Sequence, residues 1–184
     1  MKIEQMTSVT GSVSAEAWRF YEDVFVEVNT LAANRHLMTP DEFDHVMADS
    51  RVQKWFAFDD DGRIIGMATI TNHLDAWPLV SPAFFAKLYP GQYERRAIWY
   101  IGFVGCNAEG TRAHAFRDLI AQMQPQVEES DGIFVQDFCT YNVGVRRLPD
   151  ATRAILRRIN PTVEFDRIDA QEFWAGSFAS NGAH

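Results

Sequence analysis

Apolar residues follow two rhythms along this chain, and the switches between them mark its elements. From Ala15 to Asn34, Trp18, Tyr21, Phe25, Val28 and Ala32 recur at steps of three and four, the spacing of one buried helical face. Thr39-Pro40-Asp41-Glu42 comes next. Thr39 suits an N-cap, Pro40 the first helical position and Glu42 the return bond of a capping box. A second helix is therefore predicted, with Phe43, Val46 and Met47 inward and its end near Asp49 or Ser50. The rhythm then changes. Val52–Phe58 and Ile64–Thr71 read as strands joined by Asp59-Asp60-Asp61-Gly62, a hairpin turn in which Asp-Gly supplies the positive φ. Gly66 inside the second strand predicts a bulge or a close backbone approach. Met1–Val9 predicts a short edge strand, broken by Gly11, Ser12 and Ser14.

The run from Ile98 to Val104 is continuously apolar and rich in β-branched and aromatic residues, as befits a buried central strand. Gly105–Thr111 is small and polar, after which Phe116, Leu119, Ile120, Met123 and Val127 return at helical spacing up to about Ser130. Strand, small-residue loop and helix together present free backbone N–H groups to an anion. Thr111 can cap that helix. Its first turn carries Arg112 and His114 and no carboxylate, although Glu109 just upstream opposes a strongly anionic ligand. A phosphate cradle and a plain βαβ connection both fit this segment.

Ile133–Thr140 predicts a further strand, Tyr141–Gly144 a loop, Pro149–Ile159 a helix stopped by Asn160-Pro161, and Val163–Phe173 a last strand. Asn72–Arg96, between hairpin and central strand, is irregular and aromatic-rich, with Ser81-Pro82 opening a short helix through Leu88. Such an insertion fits a lid over a binding site as well as a cover for a sheet edge.

Length and composition narrow the picture. The 184 residues suit one domain, read here as residues 1–176 with 72–96 as an insertion and 177–184 as a flexible tail. With 47% hydrophobic and 13% aromatic residues, a core forms without disulfide staples. The two cysteines, Cys106 and Cys139, suit a reducing compartment and read as free thiols, not as a redox pair. The net charge of −8 disfavours nucleic acid and favours cationic small molecules or neutral partners. No apolar stretch approaches the roughly 20 residues that span a bilayer, and no basic-plus-apolar leader opens the chain. The expectation is a cytoplasmic protein without membrane contact. His36, His45, His73 and His114 lack zinc-ligand spacing, and the three aspartates lack the rest of a calcium loop, so no metal is expected. Arg146, Arg147, Arg153, Arg157 and Arg158 form one basic patch, which reads as a solvated helix face before it reads as a phosphate site.

The element order resembles the GNAT superfamily of acyl-CoA-dependent N-acyltransferases. Trp55–Ile70, with Asp61-Gly62 and Gly66, is similar to that family's second and third strands. Ile98–Met123 is similar to its cofactor-binding strand, pyrophosphate loop and helix, and Phe138–Asn142 places Asn142 where the family often has a cofactor-contacting asparagine. The resemblance implies an α/β fold, a GNAT-like mixed central sheet flanked by helices on both faces. It implies acyl-CoA, acetyl or longer, as co-substrate, bound at Phe103, Val104, Gly105, Gly110, Thr111, Arg112, Ala113 and Asn142. It also implies a small-molecule amine or acyl substrate, with a homodimer left open. The family loop reads Q/R-x-x-G-x-G/A, whereas the aligned residues here are Ala108, Thr111 and Ala113, and only the last matches. The central-strand region where the family often keeps a basic carboxylate holds Trp99 and Tyr100, and the frequent helix tyrosine after Asn142 is missing. His73 is then the candidate base and Tyr141 the candidate proton donor to the departing thiolate. A catalytically silent relative that binds a ligand or a protein, and a different chemistry on the same scaffold, are the competing expectations.

Overall fold

The computed structural model describes residues 1–33, 37–78, 80–107 and 112–176. Strands β1 (Lys2–Met6), β2 (Gln53–Phe58), β3 (Ile64–Thr71), β4 (Ile98–Cys106) and β5 (Ile133–Val135) form one five-stranded sheet in that order. The first three pairings are antiparallel and β4–β5 is parallel. A parallel neighbour needs a crossover, and it is supplied by the helix Arg112–Glu129. The remaining helices are α1 (Gly11–Phe25), α2 (Val28–Leu31), α3 (Pro40–Ala48), α4 (Pro82–Leu88), α5 (Pro90–Glu94), α7 (Thr140–Gly144) and α8 (Leu148–Ile159), so the crossover helix is α6.

Alternation along the strands divides the core in two. Phe56, Met67, Tyr100 and Phe103 lie on one face, packed against Ala17, Tyr21, Phe43 and Met47 of α1 and α3. Ala68, Ile70, Trp99 and Ile101 lie on the other, against Leu119, Ile120 and Met123 of α6 and Leu156 of α8. The fold is thus an α/β mixed sheet covered by helices on both faces.

Local chemistry explains the boundaries. The capping box of α3 is complete: Thr39 Oγ1 accepts from Glu42 N–H, and Thr39 N–H donates to Glu42 Oε2 at 2.7 Å. In the β2–β3 turn, Asp59 Oδ1 accepts from Asp61 and Arg63 N–H at 3.0 and 2.8 Å, and Gly62 has φ of 78°. A register shift beside Gly66 realises the expected bulge. Lys54 is fully buried on β2, its Nζ donating to the Thr7 and Asp49 carbonyls at 3.0 and 2.6 Å. Burial drives its pKa down to about 8.

Several expected boundaries move. The first helix starts at Gly11 and ends at Phe25, with α2 following as a separate short element. The apolar stripe runs on, but the β-branched Val24, Val26 and Val28 hold a helix poorly. The insertion carries a 3₁₀ turn at Leu74–Ala76 and α5 as well as α4. β5 stops at Val135 instead of Thr140, and Tyr141–Gly144 lies in α7 rather than a loop. No strand forms over Val163–Phe173. Phe165 instead stacks on Phe134, with ring centroids 5.3 Å apart, and its carbonyl accepts from Arg153 at 2.8 Å. A three-residue β5 offers too little edge for another strand. Beyond it Phe173 and Trp174 are exposed. Residues 177–184 lie outside the described residues, as does His36. Among the described residues no helix is long and apolar enough to cross a membrane.

Candidate functional site

The site is built where β4 and β5 part. Their ladder covers Ile98–Tyr100 against Ile133–Val135. β4 continues to Cys106 and stays paired with β3 up to that residue. From Ile101 onward its β5-side edge has no strand partner among the described residues, so a row of backbone N–H and C=O groups is free of ladder pairing on that side. The chain leaving β5 meets this strand through Asp137, which accepts from the Tyr100 hydroxyl.

A bulge sharpens this geometry. Thr69 pairs with Phe103 and Ile70 with Ile101, which leaves Gly102 as the extra residue of β4. The ring of Trp77, from the insertion, sits on it. A Cβ at Gly102 would come within 2.1 Å of the indole, so only glycine admits this approach. Trp77 also meets Tyr100 and Phe103 at centroid distances of 6.0 and 6.2 Å, and Phe103 meets Tyr21 at 5.0 Å. The insertion therefore packs directly on the central strand through Trp77.

Of the residues singled out from sequence, Phe103, Val104 and Gly105 all lie on the part of β4 that is paired with β3 but has no β5 partner. Arg112 and Ala113 open α6, whose first turn holds no acidic residue. Gly110 and Thr111, with Ala108 of the loop motif, lie outside the described residues. Asn142 is on α7, and its Oδ1 is buried without a hydrogen-bond partner among the described residues. An orphaned acceptor of this kind costs free energy unless a donor arrives. Tyr141, beside it, lies under the Arg146 guanidinium at 5.4 Å from the ring centroid, and Arg146 pairs with Glu27 at 2.9 Å. His73 follows β3 and precedes the 3₁₀ turn, beyond the Thr71–Tyr100 pair. It thus stands at the end of β4 where β5 is still attached, away from Phe103 and Val104.

The structure adds a group that the motifs did not indicate. Tyr100 Oη donates to Asp137 Oδ1 at 2.5 Å. Burial, reinforced by the negative charge of Asp137, pushes the Tyr100 hydroxyl well above the usual phenol range. It stays protonated and acts as a donor. The only sequence signal was a carboxylate two residues past the end of β5, visible once the register is known. Among the described residues no group of three or more His, Cys, Asp or Glu side chains is placed to hold a metal ion.

A five-stranded mixed sheet with helices on both faces is a fold this chain shares with solved acetyltransferases. Among solved structures, the chain is similar to a tetramutant of the BH1408 protein from Bacillus halodurans, with TM-score 0.57 and 12% identity over 96% of this chain and 100% of that one. It is similar to an aminoglycoside acetyltransferase, meta-AAC0020, from an uncultured soil metagenomic sample in complex with sisomicin, with TM-score 0.55 and 13% identity over 95% and 96% of the two chains. It is also similar to the aminoglycoside 6′-N-acetyltransferase AAC(6′)-Ih from Acinetobacter baumannii, with TM-score 0.54 and 11% identity over 95% and 100%. At such identities the likeness is one of fold. No protein-family model matches the chain. No curated protein matches it either.

Proposed function

We propose that this protein is a cytoplasmic acyltransferase that moves an acyl group from acyl-CoA to a small-molecule amine. The observation that carries the reading is the β4 edge from Ile101 onward, which has no β5 partner among the described residues and suits an extended, amide-bearing pantetheine arm pairing as a strand would. Asn142 Oδ1 supplies an acceptor for an amide N–H of that arm. The start of α6, with Arg112 and Ala113 and no carboxylate in its first turn, suits the pyrophosphate, with Gly105, Gly110 and Thr111 contributing backbone N–H groups. Backbone N–H groups near Phe103 and Val104 are assigned to the thioester carbonyl, where they stabilise the developing oxyanion. Tyr141 is assigned to the departing thiolate. His73 remains a candidate base only for an acceptor that reaches the paired end of β4. Trp77 and the rest of the insertion form the wall on the acceptor side.

Calorimetric titration with coenzyme A and acetyl-CoA tests the reading. Micromolar binding is expected, together with its loss in Ala113→Glu, which puts a carboxylate at the positive end of α6. No binding of either compound by the parent protein rejects acyl-CoA as the co-substrate. Binding without transfer to any of a panel of amines favours the catalytically silent relative.

A further inference from the structure

Gly102 is the one residue of β4 that has no partner in either ladder among the described residues. β3 pairs with Ile101 and with Phe103 but skips it, and the β5 ladder ends at Tyr100. As the extra residue of a bulge it shifts the alternation of the strand, so that Tyr100 and Phe103, three positions apart, both lie on the face that carries α1 and α3. Gly102 is half-buried and has no side chain of its own to cover it on that face. A ring from the insertion does so instead. The atoms nearest to where its Cβ would stand are Cη2, Cζ2 and Cζ3 of Trp77, the outer edge of the indole.

This ring is a fixed wall. It is buried against Tyr100 and Phe103, and Phe103 is wedged in turn against Tyr21 and Phe25 at centroid distances of 5.0 and 5.7 Å. The Trp77 N–H closes the 3₁₀ turn by donating to the carbonyl of buried Leu74 at 3.4 Å. Asn72 Nδ2 donates to the Arg96 carbonyl at 3.0 Å, which ties the two ends of the insertion together.

We propose that Trp77 sets the length of the acyl group, by filling the space over Gly102 that carbons beyond an acetyl group would occupy. This rests on the acyl-CoA reading above, which assigns the thioester carbonyl to the backbone N–H groups near Phe103 and Val104, next to the bulge. The donor class is then a two-carbon acyl thioester. A longer chain runs into the outer edge of the indole, and a rigid ring in a close-packed aromatic cluster yields only at a cost in strain. One methylene too many in a fitted apolar site discriminates by roughly 10–200-fold.

Calorimetric titration with coenzyme A, acetyl-CoA and hexanoyl-CoA tests the assignment without an amine. The parent protein should bind hexanoyl-CoA about tenfold or more weaker than acetyl-CoA. Trp77→Phe keeps a ring against Tyr100 and Phe103 but lacks the outer carbons that cover Gly102. It should bind hexanoyl-CoA about tenfold tighter than the parent does, with coenzyme A and acetyl-CoA unchanged. Trp77→Leu should show the same gain and carries the test if Trp77→Phe does not fold. Hexanoyl-CoA bound by the parent as tightly as acetyl-CoA overturns the role of Trp77. So does a variant whose affinity for all three compounds shifts equally, as a merely structural role would give, or one that still discriminates as the parent does. Each of those results leaves the acyl-CoA reading standing, because coenzyme A still binds. No binding of coenzyme A or acetyl-CoA by the parent overturns both.

Discussion

Gly102→Ala adds one methyl group at the bulge of β4. An ideal Cβ there lies 2.1, 2.3 and 2.4 Å from three carbons of the Trp77 ring. Non-bonded carbons settle at about 3.5–4 Å, so the indole must retreat by about 1.5 Å. It is rigid, only 7% exposed, and packed against Tyr100 and Phe103, so it cannot swing aside as a lysine or methionine would. Overpacking costs about 1–3 kcal/mol, and a rigid aromatic obstacle puts this substitution near the top of that range. Trp77→Ala alone should cost about 3–5 kcal/mol as a buried aromatic truncation. In the double variant the new methyl enters space left by the indole, so the combined loss should fall short of the sum by about 2 kcal/mol. Urea denaturation of the four proteins measures all three numbers. A Gly102→Ala protein within about 0.5 kcal/mol of the parent, or additive losses, would mean that the ring does not rest on the bulge, and the reasoning fails.

The buried Lys54 makes stability depend on alkaline pH. Its value falls from 10.5 to about 8 in the folded protein, so between those limits the unfolded chain binds more protons. Its stabilising contribution is therefore complete above about 10.5 and lost as pH falls through about 8. The shift alone corresponds to about 3 kcal/mol. The two carbonyls that hold the ammonium oppose it, so a rise of about 1–3 kcal/mol across the window is expected. Lys54→Met should lack that rise, and a parent–variant difference that stays constant from pH 7.5 to 10 in paired denaturation curves rules the account out. Thr39→Ala removes the capping box of α3 and should cost about 1 kcal/mol, read by the same curves; an unchanged midpoint would show that the cap is not engaged.

The elements written in local chemistry were the legible ones. Thr39-Pro40-Asp41-Glu42 specifies a helix start by the atoms it supplies, and Asp59–Gly62 specifies a turn. The apolar run at Ile98 reads as a buried central strand, while the mixed sheet and its helical layers were implied by the resemblance of the whole element order. Features set by register were not legible. The bulge at Gly102 exists because β3 and β4 pair as they do, and no residue near it announces Trp77, some 25 positions earlier. Asp137 belongs to no motif, and its contact with Tyr100 needs the β4–β5 register first. Val163–Phe173 reads as a last strand because a sequence says nothing of how much sheet edge is available. With β5 three residues long, Phe165 found a ring to stack on instead.

The two parallel strands are held with unequal strength. β4 is laced to β3 from Tyr100 to Cys106, whereas β5 hangs on a three-residue parallel ladder. Local opening follows the weakest set of hydrogen bonds, so the short β5 ladder is expected to open before the antiparallel slab behind β4, which hydrogen exchange would read as faster exchange in β5 than in β3. A strand-like guest pairing with the open edge of β4 would displace the β5 side alone and leave the antiparallel slab in place.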